Sequence, residues 1–266
     1  MAGPVDDSVF AALNVERIGD VLKVTIDRPP LNAIDEELHG ELTRLFRWLR
    51  SEADAPAVVL TGAGAAFSAG GDFDWFPSLH EVGRLHELRH HARQLVWDLV
   101  DIEVPVIAAV NGPAIGLGAT IALLCDIILM ADTATIADPH VLVGIVAGDG
   151  GSAIWPLLVG PARAKQYLLT GEPLTAFEAE RIGLVNRVVS ADRLQDEALQ
   201  LADRLAGGAP LAIQYTKAAI NQHIKDALSV SFEFAAAHEL VTLLSDDHKE
   251  ALAARREHRR PKFKGR

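Results

Sequence analysis

The 266-residue sequence has one cysteine, two methionines, two tyrosines and only 6% aromatic residues. A single cysteine excludes an intrachain disulfide. Cys125 sits among Ala122, Leu123, Leu124 and Ile127, where a buried, inert thiol is expected rather than a nucleophile. Basic residues are also scarce: 25 Lys and Arg stand against 36 Asp and Glu, for a net charge of −11. General nucleic-acid binding would need a basic footprint, and none is present before the last dozen residues. There Arg255-Arg256-Glu257-His258-Arg259-Arg260 leads to Lys262-Phe263-Lys264. The plain reading is a solvated helix end, where cations are favoured. The sharper reading is a local site for a phosphate-bearing ligand. The N-terminus carries Asp6 and Asp7 and no basic start ahead of an apolar run, so no signal peptide is expected. Long hydrophobic runs are missing too. Val104 to Ala131 is the most apolar stretch, but Asn111-Gly112-Pro113 and Gly116-Leu117-Gly118 interrupt it. No run of about 18 apolar residues remains to cross a membrane. The expectation is a cytoplasmic protein with no membrane or nucleic-acid partner.

What is present is ordinary globular material, 49% hydrophobic and 23% charged, long enough for one large α/β domain with a helical appendage. Alternation on both sides of Gly19-Asp20 predicts a hairpin over 12–28. A one-sided apolar stripe predicts a helix from Asp35 to Glu52. Short apolar runs at Ala57–Leu60, Val106–Val110 and Asp126–Met130 read as buried strands. Residues 79–102 and 116–124 read as helices. Strands that alternate with helices point to parallel pairing. After Gly151 the pattern turns mostly helical. Thr175-Ala176-Phe177-Glu178 reads as a capping box, with Gly183 at the end of its short helix. Three apolar stripes follow: one from Leu194 to Leu205, one through Leu211, Tyr215, Ala218 and Ala219, and one from Phe232 to Leu244. A boundary near residue 205 divides a core (1–205) from a helical C-terminal region (206–266).

Two glycine-rich loops follow buried strands: Ala65-Ala66-Phe67-Ser68-Ala69-Gly70-Gly71-Asp72 and Asn111-Gly112-Pro113-Ala114-Ile115-Gly116-Leu117-Gly118-Ala119-Thr120. Two such loops at strand ends can aim two backbone N–H groups at one oxygen, as an oxyanion requires. The second also opens a helix, whose N-terminus favours developing negative charge. Nucleotide phosphate binding competes, through Gly62-Ala63-Gly64. The third glycine of that pattern is missing at Phe67, and no P-loop Gly-Lys-Ser/Thr occurs. His86 and His90 share a helical face, but no partner carboxylate motif accompanies them, so a solvated face and no metal site are expected. Trp155, beside Pro156, Leu157 and Leu158, reads as core.

These residues carry a resemblance. Ile26-Asp27-Arg28-Pro29-Pro30-Leu31-Asn32-Ala33, Val58–Gly62 leading to Phe67–Asp72, Pro105–Gly112 leading to Gly116-Leu117-Gly118, and Leu169-Thr170-Gly171 with Ala179–Val185 are similar to the crotonase (enoyl-CoA hydratase/isomerase) superfamily from about residue 13 to Lys264. The resemblance implies a spiral of β-β-α units with a C-terminal helical trimerisation region, assembled as trimers or pairs of trimers. It places the oxyanion donors on the N–H groups of Gly71 and Leu117. It places the substrate, an acyl-CoA thioester, against Ala69, Gly70, Gly71, Asp72, Phe73 and Asp74 and against Gly116, Leu117 and Thr120. No cofactor is implied beyond the CoA carried by the substrate.

The catalytic positions depart from the hydratase pattern. Hydratases of the family carry one glutamate where this chain has Thr120 and another where it has His140. Thr120 is expected to pack, since a hydroxyl is a poor base. His140 has a side chain suited to acid–base work near neutrality; its plainer reading is a partly exposed loop histidine. Asp149, in Gly148-Asp149-Gly150-Gly151, reads either as a helix-capping carboxylate or as a working aspartate. The leading expectation is an acyl-CoA enzyme that stabilises a thioester enolate, with His140 and Asp149 moving the proton as an isomerase does. Thioester hydrolysis or decarboxylation would use the same oxyanion hole. An acyl-CoA binder without turnover is the rival from another class.

Overall fold

The computed structural model describes residues 10–51 and 54–266; Glu52, the expected end of the first helix, lies outside them. The hairpin forms as expected from β1 (Leu13–Ile18) and β2 (Val21–Ile26), antiparallel with Ile18 opposite Val21. Helix α1 (Glu36–Ser51) begins where Asp35 Oδ1 accepts the Leu38 N–H at 2.9 Å. Glu36 and Glu37 in its first turn and Arg50 in its last suit the helix dipole. Its stripe Leu38, Leu42, Leu45, Phe46 and Leu49 is buried.

The main sheet has six strands in the order β1-β2-β3-β4-β6-β9. Beyond the hairpin, β3 (Ala57–Gly62), β4 (Val106–Val110), β6 (Ile127–Ala131) and β9 (Arg187–Val189) all pair in parallel. Every residue of β3 and β4 is buried, which is why these segments read as unbroken apolar runs rather than alternating ones. A second sheet was not expected. It joins β5 (Ala114–Ile115), β7 (Thr135–Ala137) and β8 (Leu174–Thr175). Helix α3 (Leu117–Leu124) follows β5 directly. Residues 79–102 are not one helix. A 3-10 turn (Phe76–His80) holds Pro77, Glu81 is extended, and α2 runs over Val82–Val100.

A second 3-10 turn (His140–Val143) precedes α4 (Gly151–Thr170), which breaks at Gly160 ahead of Pro161. Helix α5 (Ala176–Arg181) is capped by half of the expected box: Thr175 Oγ1 accepts the Glu178 N–H at 3.3 Å. The Glu178 carboxylate turns to Arg181 at 2.7 Å instead of reaching back to Thr175.

Helix α6 (Leu194–Ala206) buries Leu194, Ala198 and Ala202 and packs on the sheet. After Gly207-Gly208 come α7 (Pro210–Ala227), a π-turn (Leu228–Phe232) and α8 (Glu233–Leu243), then α9 (Asp246–Arg256). The π-turn joins α7 and α8 end to end, where the sequence pattern suggested separate helices. The α7 stripe of Leu211, Tyr215, Ala218 and Ala219 is not covered within the chain. Leu211 and Tyr215 are 61% and 65% exposed, and Ile220, Val230, Phe234 and Val241 are exposed as well. No single helix among the described residues is long and apolar enough to cross a membrane.

Candidate active site

The first glycine loop is pinned by two asparagines. Asn32 Nδ2 donates to the carbonyls of Ala63, Ala66 and Phe67, and its Oδ1 accepts the Arg28 N–H at 2.9 Å. Asn111 Nδ2 donates to Gly64 and Ala66, while its Oδ1 accepts the Gly62 N–H. A short parallel bridge, Ser68 to Ala114, lays the second loop against the first, and another, Ile34 to Gly71, ties the first loop to the segment before α1. Ala69 N–H donates to Leu31, Gly70 N–H to Ser68 Oγ, Asp72 N–H to Ile34 and Gly116 N–H to Ala137. Among the described residues the N–H groups of Gly71 and Leu117 have no backbone partner. Leu117 opens the first turn of α3, where Gly118 and Ala119 also lack a backbone acceptor.

Gly116 precedes Leu117 at φ +54°, a region that side chains other than glycine rarely adopt. A Cβ there would stand 3.4 Å from the His140 ring. The imidazole therefore lies directly over the start of α3.

The structure brings His140 and Asp149 together and adds a third residue that the sequence reading did not single out. His140 Nδ1 bonds Asp138 Oδ1, and its Nε2 lies 3.5 Å from Asp149 Oδ2. The His140 side chain is 13% exposed, so it is an enclosed group and not a loop histidine in solvent. Asp149 serves both readings at once. Its Oδ1 accepts the Gly151 N–H at the start of α4, and its Oδ2 faces His140 with no hydrogen-bond partner. Thr120 is fully buried, and its hydroxyl donates to Asp149 Oδ1 at 3.0 Å. That contact corrects the expectation of simple packing, and it turns the hydroxyl toward Asp149 rather than a ligand. Glu239 of α8 is the fourth ionisable group to face this cluster.

Burial alone would lower the pKa of His140. Asp138, Asp149 and Glu239 outweigh it and hold it up at about 10. The ring is therefore an imidazolium at neutral pH. Burial raises the pKa of Asp149 against the pull of His140, with Asp138 adding to the rise. The arrangement sets a carboxyl, Asp149, beside an imidazolium, His140, whose ring orientation is held by Asp138, a set of groups able to hold and move a proton. Asp138, His140 and Asp149 lie close enough to consider a metal ion. Nδ1 is already committed to Asp138, and a protonated ring repels a cation, so the set suits proton transfer better.

On the other side of Gly71, Arg28 bridges Asp35 at 2.7 Å and Asp72 at 2.9 Å. Phe73 meets Phe76 edge-on, and the Arg255 guanidinium stacks 3.7 Å from the Phe73 ring centre. Phe73, Asp74, Leu252, Arg255, Arg256 and His258 line a cavity of about 410 Å³. The basic tail is thus partly folded back. Arg259 pairs with Glu250, and the Lys264 N–H donates to Asp247. Cys125 is buried, and burial pushes its thiol pKa well up, which fits an inert role. Trp155 is fully buried, and His86 and His90 are exposed.

The profile described as enoyl-CoA hydratase/isomerase matches residues 16–266. The chain belongs to that family. A probable enoyl-CoA hydratase of Rhizobium meliloti is 35% identical over 97% of this chain and 99% of its own length. The crystal structure of an enoyl-CoA hydratase/isomerase from Mycobacterium paratuberculosis superposes with a TM-score of 0.87 at 36% identity, covering 91% of this chain and 97% of that one. A β-diketone hydrolase from the cyanobacterium Anabaena, solved with (S)-3-oxocyclohexyl acetic acid, superposes with a TM-score of 0.86 at 30% identity over 92% and 98% of the two chains. The family is enzymatic, and the crotonase-type fold with a helical C-terminal region is present in this chain.

Sequence reasoning missed Asp138 and Glu239. The first lies two residues before His140, and Asp138-Pro139-His140 was a usable signal. The second lies 90 residues beyond Asp149 and had no local signal at all.

Proposed function

We propose that the chain binds an acyl-CoA thioester and forms its enolate. The observation that carries this reading is the pair of unpaired N–H groups, Gly71 and Leu117, beside the Asp138–His140–Asp149 cluster. The thioester oxygen takes both hydrogen bonds. Asp149 removes a proton from the adjacent carbon, and the imidazolium of His140 stabilises the negative charge left behind. The cavity by Phe73 and Arg255 suits the phosphate-bearing end of CoA. Thr120 and His140 stand where the resemblance places the two hydratase glutamates, which favours isomerase-like proton transfer over hydration.

Ligand binding raises apparent stability by mass action. A melting scan is expected to shift upward with crotonyl- or acetoacetyl-CoA and to stay put with free fatty acid or NAD. No shift with any CoA ester would remove the claim.

A second reading has its own support in the likeness to the β-diketone hydrolase. In it, Asp149 deprotonates a water, the hydroxide attacks one carbonyl of a β-dicarbonyl, and the C–C bond breaks. Its electron pair leaves as an enolate held by the same two N–H groups. A shift with a cyclic β-diketone and none with CoA esters would favour it. Binding without turnover of either class would favour a non-catalytic role.

We also propose self-assembly as trimers or pairs of trimers. The exposed apolar residues along α7 and α8 exceed what one chain covers. Light scattering is expected to give three or six chains per particle; the mass of a single chain would contradict this.

A further inference from the structure

Glu239 is the ionisable group nearest this cluster that the chemistry above leaves unused. It sits on α8 and reaches the site because residue 148 is glycine. A Cβ on Gly148 would stand 2.6 Å from Glu239 Cβ and 2.6 Å from its Oε2. Any larger residue there would push the carboxyl away from the segment that carries Asp149.

Its charged surroundings are few. Asp138, Asp149 and His140 face it from the 138–149 segment. On α8, His238 is bonded to the Phe234 carbonyl. From α2, Arg89 and Arg93 pair with Glu233, six residues earlier in α8. From α9, His248 turns to the Val143 carbonyl at 2.8 Å. Among the described residues no ion pair ties up Glu239, and the cation that acts on it is His140. Burial pushes its pKa up to about 8, with His140 pulling the other way and Asp149 and Asp138 adding to the rise. At neutral pH the carboxyl holds a proton.

We propose that Glu239 is the proton donor of the site, an acid group delivered from the C-terminal helical region to work opposite Asp149. This rests on the reading that Asp149 and His140 form an enolate. The step balances. The α-C–H bond breaks, its proton goes to Asp149, and its electron pair enters the enolate. Those electrons then form a γ-C–H bond with the Glu239 proton, leaving Glu239 as a carboxylate. The imidazolium of His140 gives its Nε2 proton to Glu239 and takes the proton of Asp149 in its place, and the site is reset.

The test is proton exchange of an acyl-CoA in heavy water, followed separately at the α- and γ-carbons. In wild type both exchange, and γ-exchange falls as pH rises past about 8. In Glu239→Gln, α-exchange is expected to persist while γ-exchange drops about 10²-fold or more, without the alkaline fall. Glu239→Asp is expected to recover part of it. A purely structural role would lower both rates together and leave the pH profile unmoved. A folded Glu239→Gln with wild-type γ-exchange overturns the proposal. If His140→Ala also exchanges like wild type, the underlying reading fails instead. Infrared spectroscopy reads the same proton with no substrate. A protonated-carboxyl band is expected at neutral pH in wild type and not in Glu239→Gln; its absence from wild type overturns the proposal too.

Discussion

Replacing His140 with alanine is expected to lower α-proton exchange of a bound acyl-CoA by about 10²–10⁴-fold, the usual contribution of a positioned acid–base group. Binding should be nearly intact, because the imidazole lies over Gly116 and the start of α3 rather than beside Phe73 and Arg255. The loss has two parts. The imidazolium charge disappears from beside the developing enolate, and Asp149 loses the partner that holds its proton-accepting oxygen in place. Asp149→Asn separates them. It keeps the size of the side chain and an oxygen for the Gly151 N–H, but removes the base. Exchange measured in heavy water on both variants checks the assignment. If both exchange at the wild-type rate, the acid–base roles of His140 and Asp149 are wrong.

The second large effect is expected at Gly71. Gly71→Pro removes one of the two free N–H groups, and losing one oxyanion donor lowers turnover by about 10²–10³-fold. The control is Gly71→Ala, which keeps the N–H. Its new methyl would meet the Phe76 ring at 2.7 Å, so the ring must shift. The two variants therefore share a steric disturbance and differ in the donor. A circular-dichroism melt establishes that each is folded, and kcat on the same thioester then compares them. Equal loss in both would assign the effect to Phe76 and not to the hydrogen bond.

Much of the fold was legible where a periodic signal extends over several residues. The 12–28 hairpin, the stripe of α1 and the buried strands β3 and β4 all formed as read, because alternation, helical spacing and unbroken apolar runs report burial directly. The sheet of β5, β7 and β8 was not legible. Its strands have two or three residues, too few for any period to register. The glycine loops were legible as loops, yet the asparagines that tie them, Asn32 and Asn111, act through hydrogen bonds that composition does not foreshadow.

The site divides in the same way. His140 and Asp149 stood out because they interrupt a motif. Asp138 was visible beside His140, but nothing in its spacing said that it would bond the ring at Nδ1. Glu239 was hidden in an amphipathic helix, and only the docking of α8 on the segment around Gly148 makes it part of the cluster. The stripe through Leu211 and Tyr215 was read correctly as apolar and helical. Its exposure follows from the path of α7, which sequence spacing does not encode.

The crowding of three carboxyl groups around His140 also couples folding to hydrogen-ion uptake. In the folded chain His140 holds its proton to about pH 10 against an ordinary value of 6.5, and Glu239 holds one to about pH 8 against 4.5, with Asp149 shifted the same way. All three groups bind protons more tightly folded than unfolded, so the folded state gains protons and unfolding near neutrality releases them. The contribution of Glu239 is complete below about 4.5 and that of His140 below about 6.5; each fades as pH climbs through its folded value. Alkali thus works against this cluster twice, by taking the acid that completes the reaction and by loosening the fold that assembles it.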